Sequence, residues 1–509
     1  MPGCRIRDTL SAATLSLCLL LCSPFTIRRT GPCVRVPSLL DDKTTKLRSK
    51  DQSAVVEEII GSQWTQDFIR SQFLKDYWQQ KPLLIRNAID FDGVEVGERD
   101  LEKLSLEEDV ESRVITLGKQ ETKKEYGPLD EDLYEELREC QSEVPWTVFV
   151  QEIDRHIPVV ANVWESHFNF IPSWRRDDIM ISYATKNAGI GAHCDDYDVF
   201  LIQGRGTREW SIENSFLDPD EEALRLIPGS DVKILKNFTA DQHWILQPGD
   251  MLYLPPRIPH KGVSLDDQCL TISMGFRAPA LRSALTAFVH HVCQARVGEK
   301  QLYRDPREDL VDPQDSPGQI SGNARQSMRT QLKQILTSAI DDDQCFDEWF
   351  GSYLTVPLRM SLSSPSAFFL KDQQNYYNKN AKENEFVEDL PLAVRDEDYK
   401  MASSRLFDDT ESVLSEFVAK KICLRRCEGI KIAYFGQTLF IDGETFHMAG
   451  KWGALFSDKR ELTYDSLFQQ NMEQSNAFVR FFSSLVRSGY FYPVDIRSAT
   501  SVGKSSSSK

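Results

Sequence analysis

Residues 191–212 read GAHCDDYDVFLIQGRGTREWSI. Aromatic and β-branched residues crowd Tyr197–Gln203, the turn Gly204-Arg205-Gly206 interrupts them, and a second extended run follows as Arg208–Ile212. The same grammar surrounds this stretch. Short apolar runs separated by Gly, Pro and Asp occur at 179–184 (IMISYA), 243–247 (HWILQ), 251–255 (MLYLP) and 269–276 (CLTISMGF). Many short antiparallel strands at such spacing predict a mainly β core closed into a barrel or jelly roll.

Polar residues placed within this β pattern carry the candidate chemistry. In an extended strand alternate side chains share a face, so the sequence predicts that His193 and Asp195 offer an imidazole and a carboxylate to one point. His260 follows Asp195 by 65 positions, after a Gln247-Pro248-Gly249-Asp250 turn, an apolar strand and the double proline Pro255-Pro256. Two histidines and one carboxylate on one triangular face leave coordination positions open, which suits a non-haem Fe(II) that must also take a cosubstrate and dioxygen. Arg208 shares a face with Trp210 and Ile212. A guanidinium on an apolar face is costly unless it meets an anion, and its fork fits a carboxylate at two points. The distal carboxylate of 2-oxoglutarate is the expected anion; an internal salt bridge to Asp or Glu is the alternative. Ser182, Thr271 and Ser273 are lesser candidates for hydrogen bonds to that cosubstrate. His156, His167, His243, His290, His291 and His447 are read as ordinary structural or surface histidines.

Working outward, Trp64, Phe68, Phe73, Tyr77 and Trp78 are spaced as the apolar stripe of a helix that leads into a short strand at Pro82–Ile85. Residues 100–170 are acidic and mixed and read as solvated helical faces. After Pro279 a helical period returns, with Leu281, Leu285, Phe288, Val289 and Val292 on one face and a second helix over about 325–340. These helices are expected to bury their stripes against a second subunit, making a homodimer. An acidic linker (372–400) leads to helix 408–421, a β-ribbon over 431–448 with turn signals at Gly436-Gln437 and Asp442-Gly443, and a closing helix ending near Ser488. Helices with a ribbon suggest a winged helix. Residues 396–495 nevertheless hold 12 basic against 15 acidic side chains, so a protein-contact role is expected there and nucleic-acid binding is not.

The expected organisation is a targeting leader over 1–50, a β-barrel domain with N-terminal helices over 51–280, a helical dimerisation region and linker over 281–385, a winged helix over 386–495 and a disordered tail over 496–509. At 509 residues, with 41% hydrophobic and 27% charged composition, the chain suits several packed domains. Its net charge of −17 is unevenly spread. Residues 1–50 hold nine Lys/Arg and three Asp/Glu, which leaves the remainder at −23. Such a body does not grip nucleic-acid phosphates through a basic face.

In the leader, Arg5 and Arg7 precede the apolar stretch Leu10–Cys22, too short to span a bilayer, and an Arg-containing, acid-free segment over 25–40 follows. A signal-like stretch ahead of a transit-like one predicts a plastid reached by the secretory route, with the mitochondrion as the alternative. Seven of the eleven cysteines lie beyond the leader at scattered spacing, which is no disulfide framework. Cys423 and Cys427 lack a second pair at zinc-ligand spacing and read as buried thiols.

The segments HCDDYDVFLIQGRGTREWSI, LQPGDMLYLPPRIPHKG and SMGFRAP closely resemble the Jumonji-type cupin ribosomal oxygenases, in particular the bacterial-type arginine hydroxylases of large-subunit ribosomal protein sixteen. The likeness extends to FLKDYWQQKPLLIRNAI (73–89), DDIMISYA (177–184), DEWFGSYL (347–354) and LVRSGYFY (485–492), and spans about 60–495. It implies a double-stranded β-helix, a helical dimerisation region and a C-terminal winged helix. It also implies that His193, Asp195 and His260 bind Fe(II), that Arg208 binds 2-oxoglutarate, and that the enzyme hydroxylates the β-carbon of an arginine while succinate and carbon dioxide leave. Related histidyl hydroxylases share the barrel and triad, so histidine is the alternative target; a cupin without turnover that acts in assembly is another. Cys194 departs from the family, where an apolar residue is usual. A basic ribosomal protein as substrate suits the acidic body, which would attract it before assembly.

Overall fold

A computed structural model describes residues 56–356 and 415–495, apart from the short stretches 90–95, 109, 118–121, 141–142, 158–159, 162–166, 228–232, 299–300, 312–317, 428, 448–451 and 469–475. The expected leader, the acidic linker, residues 408–414 of the expected helix and the Ser-rich tail lie outside the described residues. The first part contains β1 (Glu57–Ile60), β2 (Leu83–Arg86), β3 (Ser112–Leu117), β4 (Thr122–Tyr126), β5 (Trp146–Val150) and β6 (Arg176–Ala184). It continues with β7 (Asp198–Arg205), β8 (Arg208–Ile212), β9 (Gln242–Leu246), β10 (Met251–Leu254), β11 (His260–Ser264) and β12 (Cys269–Phe276).

Nine of these strands form one mixed sheet in the order β1-β2-β10-β7-β12-β6-β5-β3-β4, and β11-β8-β9 form a second, smaller one. Only the β1–β2 pairing in the large sheet is parallel among the described residues. Large and small sheets with a shared apolar core form a cupin fold consistent with a double-stranded β-helix. The chain crosses from one sheet to the other between Arg205 and Arg208. Gly206 makes that step with φ +64°, and a Cβ there would lie 2.3 Å from the Asp266 carboxylate, which accepts from Thr207 N at 2.6 Å.

The period of two along each strand divides its side chains between two cores. Leu83, Ile85, Phe200, Ile202, Met251 and Tyr253 enter the core on the outer face of the large sheet. Leu84, Val199, Leu201, Leu252 and Leu254 point the other way, into the core shared with Trp210, Ile212 and Leu246 of the small sheet. Burial on both faces explains why β7 and β10 read as nearly continuous apolar runs. The outer face is covered by the helix Gln66–Phe68 and its wider continuation Ile69–Tyr77, as the aromatic stripe predicts. Trp78 stacks on Tyr253 at 5.7 Å and meets Phe276 edge-on at 5.4 Å.

Residues 100–170 depart from expectation. The helices Glu98–Ser105 and Glu131–Cys140 are present, but β3, β4 and β5 lie between and after them and extend the large sheet. The acidic composition of this region reflects an exposed edge: β4 is exposed along most of its length, whereas β5 is wholly buried.

Beyond the barrel, helices Leu281–Arg296, Gly322–Ile340 and Asp343–Thr355 pack through Phe288, Val292, Ala339 and Trp349. Leu281 and Leu285 of the predicted stripe remain exposed in the single chain. The last region contains β13 (Ile422–Arg426), β14 (Ile432–Phe435), β15 (Thr438–Ile441), β16 (Glu444–His447), β17 (Glu461–Leu462) and β18 (Phe491–Asp495). β13 lies between β17 and β18, while β14, β15 and β16 form a meander that turns at the two predicted positions. Cys423 and Cys427 are buried in its core, where the Cys427 thiol donates to Gly489 O at 2.8 Å. The meander docks on the start of β6: Arg176 donates to Ile430 O at 2.9 Å and Ser173 to Ile432 O at 3.1 Å.

Phe200 is fully buried, with the Phe168 and Tyr253 rings each at 4.9 Å. Phe200→Ala should cost about 3–5 kcal/mol of stability, measured by chemical denaturation, because the rigid strands around the ring cannot collapse into the cavity.

Candidate active site

His193 and His260 face each other across an isolated antiparallel bridge: His193 N donates to His260 O at 3.0 Å, and His260 N donates to His193 O at 2.8 Å. The reciprocal pair brings the two rings to 4.3 Å between centroids. This corrects the expectation that His193 and Asp195 alternate along a continuous strand. Only His193 of the two forms a β-bridge; Asp195 lies in the loop before β7, and its Oδ2 comes within 3.7 Å of His260 Nε2. One ligand atom from each of His193, Asp195 and His260 lies within 4.8 Å of the others, so one cation can be shared among them.

Second contacts set the chemistry of both rings. His193 Nδ1 lies 3.1 Å from Gly191 O, and His260 Nδ1 lies 2.9 Å from Ile258 O. A carbonyl oxygen can only accept, so Nδ1 carries the proton in each neutral ring and Nε2 keeps its lone pair for a metal. Burial, reinforced by the neighbouring His193, pushes His260 down to about 4, which keeps it neutral and able to ligate near neutral pH.

Arg208 opens β8 and is buried. Its Nε donates to Cys269 Sγ at 3.3 Å, while its buried Nη2 has no hydrogen-bond partner. Among the described residues no carboxylate pairs with it, so the alternative of an internal salt bridge is not met. An unpaired guanidinium nitrogen inside a protein is costly, and an anion or an ordered water would satisfy it. The Trp210 ring stands next to both groups, 5.7 Å from the Arg208 guanidinium and 5.8 Å from the His260 ring. Gly262, paired with Trp210 across β11 and β8, leaves room for that indole, since a Cβ would lie 2.8 Å from it.

Leu270, Ile272, Met274 and Phe276 of β12 face the outer core, so Thr271 and Ser273 face the barrel interior. The same parity on β6 places Ser182 inward, opposite Thr271. Ser182 Oγ is 3.5 Å from Thr271 O, and Thr271 Oγ1 donates to Gln203 Oε1 at 3.1 Å. The interior is thus apolar along β10 and most of β7 and β8, with Gln203 and Arg208 as buried polar exceptions, and carries Ser182, Thr271 and Ser273 along β6 and β12. Gln203 and Cys269 belong to no motif in the sequence, although strand parity alone places Gln203 on the inward face with Val199 and Leu201. Nor does the sequence single out Tyr197, whose phenol lies beside Asp195 and is pushed well above its ordinary value by that carboxylate, by burial and by Asp178 and Asp177.

A two-sheet cupin barrel with a His-Asp-His cluster at one end defines the class, and residues 163–284 match the model of the JmjC domain. The "Ribosomal protein uL16 3-hydroxylase" of Escherichia coli K12 is 30% identical over 284 residues, 56% of this chain and 70% of that protein. The "Probable ribosomal oxygenase" of Haemophilus influenzae is 34% identical over 282 residues, 55% of this chain and 66% of that protein. The chain belongs to the JmjC-domain ribosomal oxygenase family. In fold it is similar to the solved structure of YcfD, a ribosomal oxygenase from Escherichia coli in complex with cobalt and 2-oxoglutarate, with TM-score 0.60 and 24% identity over 83% of this chain and 97% of that one.

The sign of the His260 shift fixes a pH effect. Between about 6.5 and about 4 the unfolded chain binds a proton at this residue and the folded metal-free protein does not, so folded stability falls as pH drops through that window. Thermal melts of the metal-free protein from pH 7 to pH 4.5 should therefore fall more steeply in the parent than in His260→Asn.

Proposed function

We propose that this chain is an Fe(II)- and 2-oxoglutarate-dependent protein hydroxylase that adds one oxygen to the β-carbon of an arginine in large-subunit ribosomal protein sixteen. Membership of the ribosomal oxygenase family supports a ribosomal protein as the substrate class. The observation that carries the cosubstrate reading is Arg208, a buried guanidinium with an unsatisfied Nη2 on the same side of the barrel as the cluster.

Bound iron with 2-oxoglutarate supplies the activation of dioxygen, coupled to decarboxylation of the cosubstrate. The chain's own residues provide the rest. His193, Asp195 and His260 would hold the metal, with both histidines fixed as Nε2 ligands by their Nδ1 contacts. Arg208 would meet the distal carboxylate, with Ser182, Thr271 and Ser273 on the adjacent inward faces. Trp210, 5.7 Å from the guanidinium and 5.8 Å from the His260 ring, would flank the cosubstrate with an apolar wall. The net charge of −23 outside the leader favours capture of a basic ribosomal protein, with on-rates that fall as salt rises.

The exposed Leu281 and Leu285 fit a homodimer contact, and the acidic C-terminal winged helix is read as a protein contact without nucleic-acid binding. Among the described residues no helix is long and apolar enough to cross a membrane. The leader is read as directing the protein to a plastid, whose bacterial-type ribosomes hold the client, with the mitochondrion as the alternative.

Intact-mass measurement of the ribosomal protein before and after reaction, with peptide mapping, tests the target. One added oxygen on an arginine is expected; addition on a histidine overturns the arginine reading. Uncoupled 2-oxoglutarate decarboxylation should disappear in His193→Ala, and its persistence overturns the metal assignment. Arg208→Ala should raise the apparent KM for 2-oxoglutarate about tenfold or more, as loss of a charge-assisted hydrogen bond of roughly 1.5–3 kcal/mol requires. An unchanged KM removes Arg208 from the cosubstrate site.

A further inference from the structure

Arg257 stands in the turn Pro255-Pro256-Arg257-Ile258 with φ +74°, the left-handed region where glycine is the usual residue after a turn-initiating proline. A side chain retained at such a position points to a role for that side chain. The Arg257 main chain is tied on both sides: its N–H donates to Asp195 O at 2.7 Å, and its carbonyl accepts from Leu217 N at 2.8 Å. Its side chain turns back over the same region. Nε donates to Leu217 O at 2.9 Å, and Nη1 donates to Asp196 Oδ1 and Glu222 Oε2, each at 2.7 Å.

One residue therefore fastens three segments: the loop that carries Asp195, the turn that delivers His260 three positions later, and the short helix Pro219–Arg225 that holds Glu222. Glu222 is buried, so it anchors the guanidinium from the interior, while Asp196 approaches from the exposed side. Asp196 is also the residue next to a candidate ligand and carries a second carboxylate that could compete for a cation. Arg257 holds its Oδ1, and Lys233 lies 3.7 Å from its Oδ2.

We propose that the Arg257 side chain is a positioning group for the metal centre: by tying Asp196 to the helix that holds Glu222 it fixes the loop that presents Asp195, and it engages the Asp196 carboxylate so that Asp195 alone is presented to the ion. The proposal rests on the metal-site reading above. A glycine at 257 would suit the backbone better and lose the clamp, which separates the two contributions.

The test is titration of the metal-stripped full chain with Co(II), followed by calorimetry and by the visible ligand-field bands. Arg257→Gly should melt cooperatively, yet bind Co(II) about tenfold or more weakly, the usual scale for a residue that orients ligands, with altered bands. Asp196→Ala, which removes the exposed arm together with the competing carboxylate, should change affinity and bands less than Arg257→Gly does. Parent affinity with an unchanged spectrum in Arg257→Gly overturns the clamp; should that variant fail to fold, the same result in Arg257→Asn, which tolerates the left-handed φ and also lacks the guanidinium, does so. Co(II) binding that survives in His193→Ala marks a separate failure, that of the metal site itself, and removes the clamp with it.

Discussion

Two main-chain hydrogen bonds between His193 and His260 hold this site together. Residues 67 positions apart in sequence exchange N–H and C=O groups just where β11 begins, so the imidazoles project side by side rather than along separate strands. Backbone pairing is more reliable than side-chain packing for this purpose, because each bond satisfies a buried donor and acceptor that would otherwise be costly. Once the bridge is made, the Nδ1 contacts to Gly191 O and Ile258 O follow from local geometry, each reaching two residues back. They leave both Nε2 atoms as free lone pairs.

The barrel interior extends this logic by dividing apolar from polar. Val199, Leu201, Leu252 and Leu254 fill the side shared with the small sheet. The inward positions of β6 and β12 carry Ser182, Thr271 and Ser273 instead. Polar side chains in such a place cost free energy unless they are paired; Thr271 Oγ1 donates to Gln203, whose amide in turn donates to Cys269 Sγ. Arg208 keeps an unsatisfied buried nitrogen, and that local imbalance suits an anionic ligand better than a structural role. Arg257 is another local violation, a side chain held at a glycine-like φ, and it too lies against the ligand-bearing loops.

Most of the barrel was legible in the residues. β12 spans the run expected over 269–276, and β8 the run expected over 208–212, because alternation and turn residues act between near neighbours. The stripe from Trp64 to Trp78 was legible for the same reason. β3 to β5 were not, since an exposed edge strand such as β4 has a polar composition close to that of a solvated helix. β11 was hidden too: His-Lys-Gly-Val-Ser has little strand character of its own and is extended because β8 lies beside it.

By itself the sequence determined the class of core, the residue types of the candidate site and the acidic character of the body, all of which depend on composition and short-range period. The tertiary structure alone decided that His193 pairs with His260, that Asp195 reaches them from a loop rather than a strand, and that Arg208 meets no carboxylate among the described residues. It alone also placed Arg257 across both ligand loops. Those facts arise from contacts between distant segments, whose partners are chosen by how the sheets close and not by any pattern that neighbouring residues carry.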